Sequence, residues 1–164
     1  MSPELGIEVR GLRVGYGADD RLHGVTLEVP AGSFLAVVGP NGSGKSTLLR
    51  TMARALRPRV GAVLLDGREV REWNPKRFAR EVAVVSQEGS PAFVDTAYEV
   101  VGMGRATYEG KLAPDRGAGR AVEAAMREVG VWGLRDRRLG RLSGGEQQLV
   151  ALARALAQEP EVLL

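Results

Sequence analysis

Gly39-Pro40-Asn41-Gly42-Ser43-Gly44-Lys45-Ser46-Thr47 decides how the rest of this 164-residue chain is read. It fits the pattern G-x-x-x-x-G-K-S, and its flanks suit that pattern. Phe34-Leu35-Ala36-Val37-Val38 reads as a buried strand entering the loop, and Thr47-Leu48-Leu49-Arg50-Thr51-Met52 as the helix leaving it. A strand, a Gly-rich loop and a helix in succession aim backbone N–H groups and a helix N-terminus at one point, which suits a polyphosphate. Glycines let the backbone approach closely, Lys45 is placed to reach β- and γ-phosphates, and the Ser46 hydroxyl suits Mg²⁺. Gly39, Asn41, Gly42, Ser43, Gly44, Lys45, Ser46 and Thr47 are therefore the candidate nucleotide-binding set. Lys45 is the catalytic cation among them and Ser46 a metal ligand.

Composition agrees with a soluble globular domain, or part of one: 44% of residues are hydrophobic and 26% charged. No apolar run approaches a membrane span, and the N-terminus lacks the basic-then-apolar pattern of a signal peptide. Cysteine is absent, which fits a cytosolic protein without a disulfide framework. The formal charge is only +3, and all but Lys45, Lys76 and Lys111 of the 23 basic residues are Arg. These are scattered among acids, as a compositional bias leaves them and unlike a nucleic-acid surface. The sole histidine, His23, sits in a turn-like stretch with no partner at ligand spacing and reads as a surface residue.

Ile7-Glu8-Val9-Arg10 and Leu12-Arg13-Val14 alternate as edge strands do, and Val25 to Val29 alternates again before the turn Pro30-Ala31-Gly32. Gly61 to Arg68 reads as a hairpin closed by Asp66-Gly67. Val82-Ala83-Val84-Val85-Ser86 reads as a short buried parallel strand. Helical signals then dominate. Thr96 and Glu99 make a capping box, and Ala121 to Val129 is amphipathic, with Val122, Ala125, Met126 and Val129 on one face. Lys111 to Gly119 has the look of an exposed loop. The chain stops at Pro160-Glu161-Val162-Leu163-Leu164, inside an apolar run of strand character, and reads as a domain cut short.

Leu142-Ser143-Gly144-Gly145-Glu146-Gln147 opens a further helix, with Leu149, Leu152, Ala153 and Leu156 as its expected buried stripe. Ser143 and Glu146 form a capping box, and a capped helix with two early glycines also presents N–H groups and a dipole to an anion. Joined to the phosphate loop about a hundred residues upstream, this hexapeptide resembles the signature motif of ABC-type ATPases, and the resemblance runs the whole length of the chain. It implies an α/β fold: a P-loop NTPase core with an N-terminal antiparallel β-subdomain and an inserted α-helical subdomain, its core sheet incomplete at the C-terminus. The expected organisation is a single partial nucleotide-binding domain, with the ATP-binding core and β-subdomain over 1–87, the helical subdomain over 88–141, and the signature helix with the start of the Walker B strand over 142–164.

The same resemblance assigns roles. Tyr16, in Gly15-Tyr16-Gly17, matches the aromatic that stacks on adenine. Gln87 matches the Q-loop glutamine, a catalytic-site residue that joins the Mg²⁺ site. Ser143, Gly144, Gly145 and Glu146 would contact the ATP held by a second copy, because two such domains pair head to tail. ATP and Mg²⁺ are the implied cofactors. The implied partners are a second nucleotide-binding domain, transmembrane permease subunits and, indirectly, a substrate-binding protein; nucleic acid is not among them. The implied location is cytoplasmic, on the inner face of the cell membrane. The Walker B Asp, the catalytic Glu and the switch His fall beyond Leu164 in the family pattern, so this chain alone is expected not to hydrolyse ATP at a useful rate. Between Gln87 and Thr96, the loop Glu88 to Asp95 carries Phe93 and Val94 and has the composition of a permease docking groove.

Tyr98 to Arg105 resembles the helix that follows the Q-loop in ATPases of iron-siderophore, haem and cobalamin importers. There a Gly-Arg pair precedes Pro-His; here Gly104-Arg105 precedes Ala106-Thr107-Tyr108. The expected function is the ATP-binding subunit of such an importer. The alternatives are a soluble ABC ATPase without a transport role and a truncated gene fragment without activity.

Overall fold

Ile7, Val9, Leu12 and Val14 are buried while the residues around them are partly or fully exposed, the period-2 pattern of a strand with one covered face. In the computed structural model, which describes residues 6–17, 19–85, 96–108, 115 and 117–164, they form one strand, β1 (Ile7–Tyr16). The buried phase slips between Val9 and Leu12, where Gly11 takes φ +55° and the register with the neighbouring strand shifts. Such a bulge is why the sequence reads as two short strands rather than one.

β1 is not the edge strand its alternation suggested. It pairs antiparallel with β2 (Asp19–Val29) on one side and with β3 (Val60–Leu65) on the other. With β4 (Arg68–Glu69) the sheet order is β2-β1-β3-β4, and β2 takes the edge. The turn from β3 to β4 is the expected Asp-Gly turn: Asp66 and Gly67 have φ +51° and +72°, positive at both central positions as a primed hairpin turn requires. α1 (Lys45–Met52) follows the phosphate loop and buries Leu48 and Met52. These elements belong to a compact unit that ends at Asn74; a second unit begins at Pro75.

In the second unit α2 (Pro75–Glu81) starts on a proline, whose fixed φ and missing N–H suit a first helical turn. It runs into β5 (Val82–Ala83), which pairs in parallel with β6 (Val162–Leu163). The Val85 N–H donates to the Leu164 carbonyl at 2.8 Å and so carries the pairing one step further. α3 (Ala97–Gly102), α4 (Ala118–Glu128) and α5 (Gly144–Ala157) build the helical part. Their shared core includes Val100, Val101, Val122, Met126 and Val150, each at most 2% exposed. Burying each such side chain is worth about 1.5–3 kcal/mol. The Thr96 capping box forms as expected, and the amphipathic helix begins at Ala118, three residues before its clearest periodicity.

Three further expectations are corrected. Phe34 to Val38 is not a buried strand: no regular structure forms there, and Phe34 and Val38 are 95% and 87% exposed. A strand needs a neighbour for its N–H and C=O groups, and among the described residues none pairs with this segment. Of the predicted strand over 82–86, whose last residue lies outside the described residues, β5 spans Val82 and Ala83, Val85 adds one hydrogen bond to Leu164, and Val84 is exposed rather than buried. The buried stripe of α5 is Val150, Ala153 and Ala157 with Ala155, while Leu149 is exposed. Small side chains at 153 and 157 suit close packing against α3 and α4, so the contact face is rotated from the one the leucines marked. Among the described residues, no helix is long and apolar enough to cross a membrane.

Candidate nucleotide-binding site

The phosphate loop is shaped by glycines that other residues could not replace. Gly42 and Gly44 have φ +83° and +92°, in the left-handed region that L side chains rarely occupy. A Cβ on Gly44 would also lie 2.7 Å from Leu22 Cδ2 and 3.1 Å from the Arg21 carbonyl, so the end of the loop lies against β2. Gly44 is the N-cap of α1, and its carbonyl accepts from the Leu48 N–H at 2.9 Å. The Ser43 N–H donates to the Pro40 carbonyl at 3.3 Å and closes the preceding turn.

The Lys45 ammonium lies inside the curve of this loop. It donates to the carbonyls of Gly39 at 2.8 Å and Pro40 at 2.7 Å, with the Ser43 hydroxyl at 3.4 Å. One cation thus spans both ends of the Gly-rich segment. Ser46 is exposed in the first turn of α1, whereas Thr47 is buried and its carbonyl accepts from the Thr51 hydroxyl at 2.7 Å. Gly39, Asn41 and Ser43 are exposed along the loop.

Tyr16 stands at the end of β1, opposite Asp19, and is 48% exposed. Its hydroxyl accepts from Arg50 Nη1 at 3.3 Å, and Arg50 belongs to α1, the helix that opens at Lys45. Tyr16 and the phosphate loop are therefore linked within one unit through a single helix. Sequence reasoning missed the residues that surround Tyr16, Arg50 and the Asp20–Arg59 pair described below. Arg50 and Arg59 come from outside the hairpin, 34 and 39 positions from Tyr16 and Asp20, and no spacing in the sequence signals them. His23 is exposed, as expected, but lies within β2, opposite Arg13, and not in a turn.

In the second unit, Ser143 is the N-cap of α5. Its backbone N–H and its hydroxyl donate to Glu146 Oε2 at 2.7 and 2.8 Å, and its hydroxyl accepts from the Glu146 N–H at 3.3 Å. The Ser143 N–H, then its hydroxyl, hold the Glu146 carboxyl below the usual range of a glutamate. Gln147, which the sequence did not single out for a role, donates to the carbonyls of Leu139 at 3.2 Å and Leu142 at 3.0 Å and fixes the approach to the helix. Gly144 and Gly145 are exposed, have no positive φ, and a Cβ on either would meet no atom within 4 Å. Their own fold does not require glycine at these positions.

Gln87, Phe93 and Val94 lie outside the described residues, as does the rest of the predicted docking loop from 88 to 95. Among the described residues no group of three or more His, Cys, Asp or Glu side chains could hold a metal ion. A cation here would be held by a hydroxyl such as that of Ser46 together with oxygens of its ligand.

The family profile described as ABC transporter matches residues 22–164. The hemin import ATP-binding protein HmuV of Streptomyces coelicolor is 45% identical over 154 residues, covering 94% of this chain and 55% of that protein. The uncharacterized ABC transporter ATP-binding protein MJ0873 of Methanocaldococcus jannaschii is 40% identical over 161 residues, covering 96% and 55%. Among solved structures, an inward-facing metal-chelate type ABC transporter superposes with a TM-score of 0.79 at 29% identity, covering 95% of this chain and 57% of that one. The chain spans about half the length of the curated relatives it matches. With the profile across most of its length, a relative 45% identical over 94% of it and a matching solved structure, this chain belongs to the ABC transporter family as an ATP-binding domain.

Proposed function

We propose that this chain binds MgATP as part of a subunit that energises a membrane importer of haem or iron-chelate substrates. The observation that carries the reading is the phosphate loop itself: two left-handed glycines and a lysine whose ammonium already lies inside the loop, at the N-terminus of α1. In this reading Lys45 exchanges its carbonyl partners for β- and γ-phosphate oxygens, and the loop N–H groups bind the same oxygens. Gly39, Asn41, Gly42, Ser43, Gly44 and Thr47 shape that cradle. Ser46 and Gln87 hold Mg²⁺, which when bound neutralises charge on the transferring phosphoryl group. Tyr16 stacks on the adenine.

Ser143, Gly144, Gly145 and Glu146 serve the γ-phosphate of a second copy. The open space around both glycines supports this, because a site meant for an incoming phosphate must be left clear of side chains. The capping box holds the Ser143 hydroxyl in place for that contact. ATP would then close the pair, and the closure would move permease subunits at the cytoplasmic face of the membrane. We assign residues 1–87 to the core and β-subdomain, 88–141 to the helical subdomain and 142–164 to the signature helix with the start of the Walker B strand.

The substrate class rests on relatives named as hemin import proteins and on the metal-chelate type structural neighbour. Disruption of the gene in its own host tests it. Loss of growth on haemin or ferric chelates as sole iron source is the expected result. Undiminished uptake of every iron chelate would overturn the substrate assignment.

A further inference from the structure

We propose that Asp20 and Arg59 are positioning residues that hold the Tyr16 hairpin in place for a nucleotide base. The proposal rests on the reading of Tyr16 as the adenine platform. It adds the device that keeps the platform still.

Tyr16 leads into a turn at the tip of the β1–β2 hairpin, where Gly17 takes φ +60°. An exposed turn of this kind, with an aromatic half in solvent, is by default a mobile place. Here it is tied down from a distant part of the chain. The Arg59 guanidinium donates to the Gly17 carbonyl through Nη2 and to Asp20 Oδ1 through Nη1, the latter at 2.8 Å. The other oxygen of Asp20 accepts from Arg13, with Nη2 at 3.1 Å and Nε at 3.2 Å. The Arg59 backbone N–H donates to the Arg13 carbonyl at 2.8 Å, which fixes the base of the Arg59 side chain on β1.

Asp20 therefore sits between two guanidinium groups, its side chain only 12% exposed at what would otherwise be an open hairpin end. Arg59 grips both sides of the turn: the carbonyl before it and the carboxylate after it. A planar fork with several donors can do this from one side chain, and a lysine cannot. Arg50 adds a third tether, from α1 to the Tyr16 hydroxyl.

The consequence is selective. A platform already ordered loses less freedom when a base stacks on it, and that saving applies only to ligands that have a base. The end of the phosphate loop lies against Arg21 and Leu22, next to Asp20, but Lys45 donates to Gly39, Pro40 and Ser43 and to neither Asp20 nor Arg59. Loss of the clamp should weaken ATP and leave inorganic triphosphate alone.

The test compares ATP with inorganic triphosphate, both with Mg²⁺, by titration calorimetry on the 164-residue chain and its variants. Tyr16→Leu probes the underlying reading; Arg59→Met and Asp20→Asn probe the clamp, with Arg59→Lys as the conservative partner. Far-UV circular dichroism confirms that each variant is folded. For Tyr16→Leu we expect weaker ATP binding and unchanged triphosphate binding. For Arg59→Met and Asp20→Asn we expect ATP to weaken by roughly 3- to 10-fold, the range set by ordering one side chain, with triphosphate unchanged and no rescue by lysine. In the Tyr16→Leu background the clamp variants should have no further effect.

An effect of Tyr16→Leu with none from Arg59→Met and Asp20→Asn would overturn the clamp alone. Equal weakening of both ligands by the clamp variants would also overturn it, as a role in stability only. No effect of Tyr16→Leu on ATP would remove the platform reading, and the clamp with it.

Discussion

Replacing Arg105 with methionine should destabilise the second unit by about 3 kcal/mol, although Arg105 belongs to no motif assigned a role in nucleotide chemistry. Its side chain is 6% exposed, and the guanidinium is held both along its edge and on its face. Nε donates to Asp115 at 2.7 Å, Nη1 donates to the Ala157 carbonyl at 2.9 Å and to Glu159, and the group lies 3.8 Å from the centre of the Tyr108 ring. Arg80 covers that ring as well, at 4.6 Å. Tyr108 donates in turn to the Gln158 carbonyl, and the Gln158 amide donates to the Val82 carbonyl of β5. One arginine thus ties the end of α5 to the segment that leads into β6.

The contacts differ in weight. A charged hydrogen bond to a helix-terminal carbonyl is worth about 1.5–3 kcal/mol, and a desolvated stack on an aromatic ring up to about 2. The pair with Glu159 adds little, because that side chain is 63% exposed. Burial works against the Arg105 charge, but the hydrogen bonds to Asp115 and Glu159 outweigh it and raise its pKa. Thermal unfolding followed at 222 nm is the assay. At roughly 2–4 °C per kcal/mol for a chain of this size, Arg105→Met should lower the midpoint by roughly 6–12 °C. Arg105→Lys should fall between the two, since an ammonium cannot reach all these partners and stack at once. A shift below about 2 °C for Arg105→Met would refute the assignment of Arg105 as the knot of this unit.

Further outcomes follow from single positions. Gly104→Ala should destabilise the same junction, because a Cβ there would lie 2.2 Å from the Arg154 carbonyl; a midpoint equal to the parent's would show that the backbone relaxes freely. Met126→Ala, at a fully buried position, should cost about 2–5 kcal/mol in urea unfolding, and a change under 1 kcal/mol would contradict the described helical core. The α5 N-terminus should loosen in acid. The Glu146 pKa is depressed in the fold, so its stabilising effect is present above about pH 4.3, where free glutamate titrates, and is lost as pH falls through the folded value. The protection factor of the Glu146 amide, with the intrinsic pH dependence of exchange divided out, should fall there; Glu146→Gln should remove that change, and a protection factor constant with pH in the parent would contradict it.

What was legible in the sequence was local. The helix that leaves the phosphate loop, the two capping boxes and the Asp66-Gly67 turn each depend on residues within a few positions of one another, and each takes the expected form. What was not legible depends on distant partners. Phe34 to Val38 has strand composition, but a strand is a pairing, and no composition supplies the neighbour. The face of α5 is chosen by α3 and α4, so Val150 and the alanines win over Leu149. Arg59 meets Asp20 across 39 positions, and Arg105 meets Glu159 across 54. Isolated charges at such separations carry no spacing rule in a single sequence.

The central claim is that the loop from Gly39 to Thr47 is a nucleotide cradle with Lys45 as its cation. Titration of MgATP into the chain and into Lys45→Ala tests it most directly. Lys45 is half-buried, but its ammonium bonds only to oxygens of exposed loop residues, which water can satisfy, so the variant should stay folded with a midpoint close to the parent's. Loss of a charge-assisted contact of roughly 1.5–3 kcal/mol should weaken ATP by roughly 10- to 150-fold. Equal affinities for parent and variant would contradict the account.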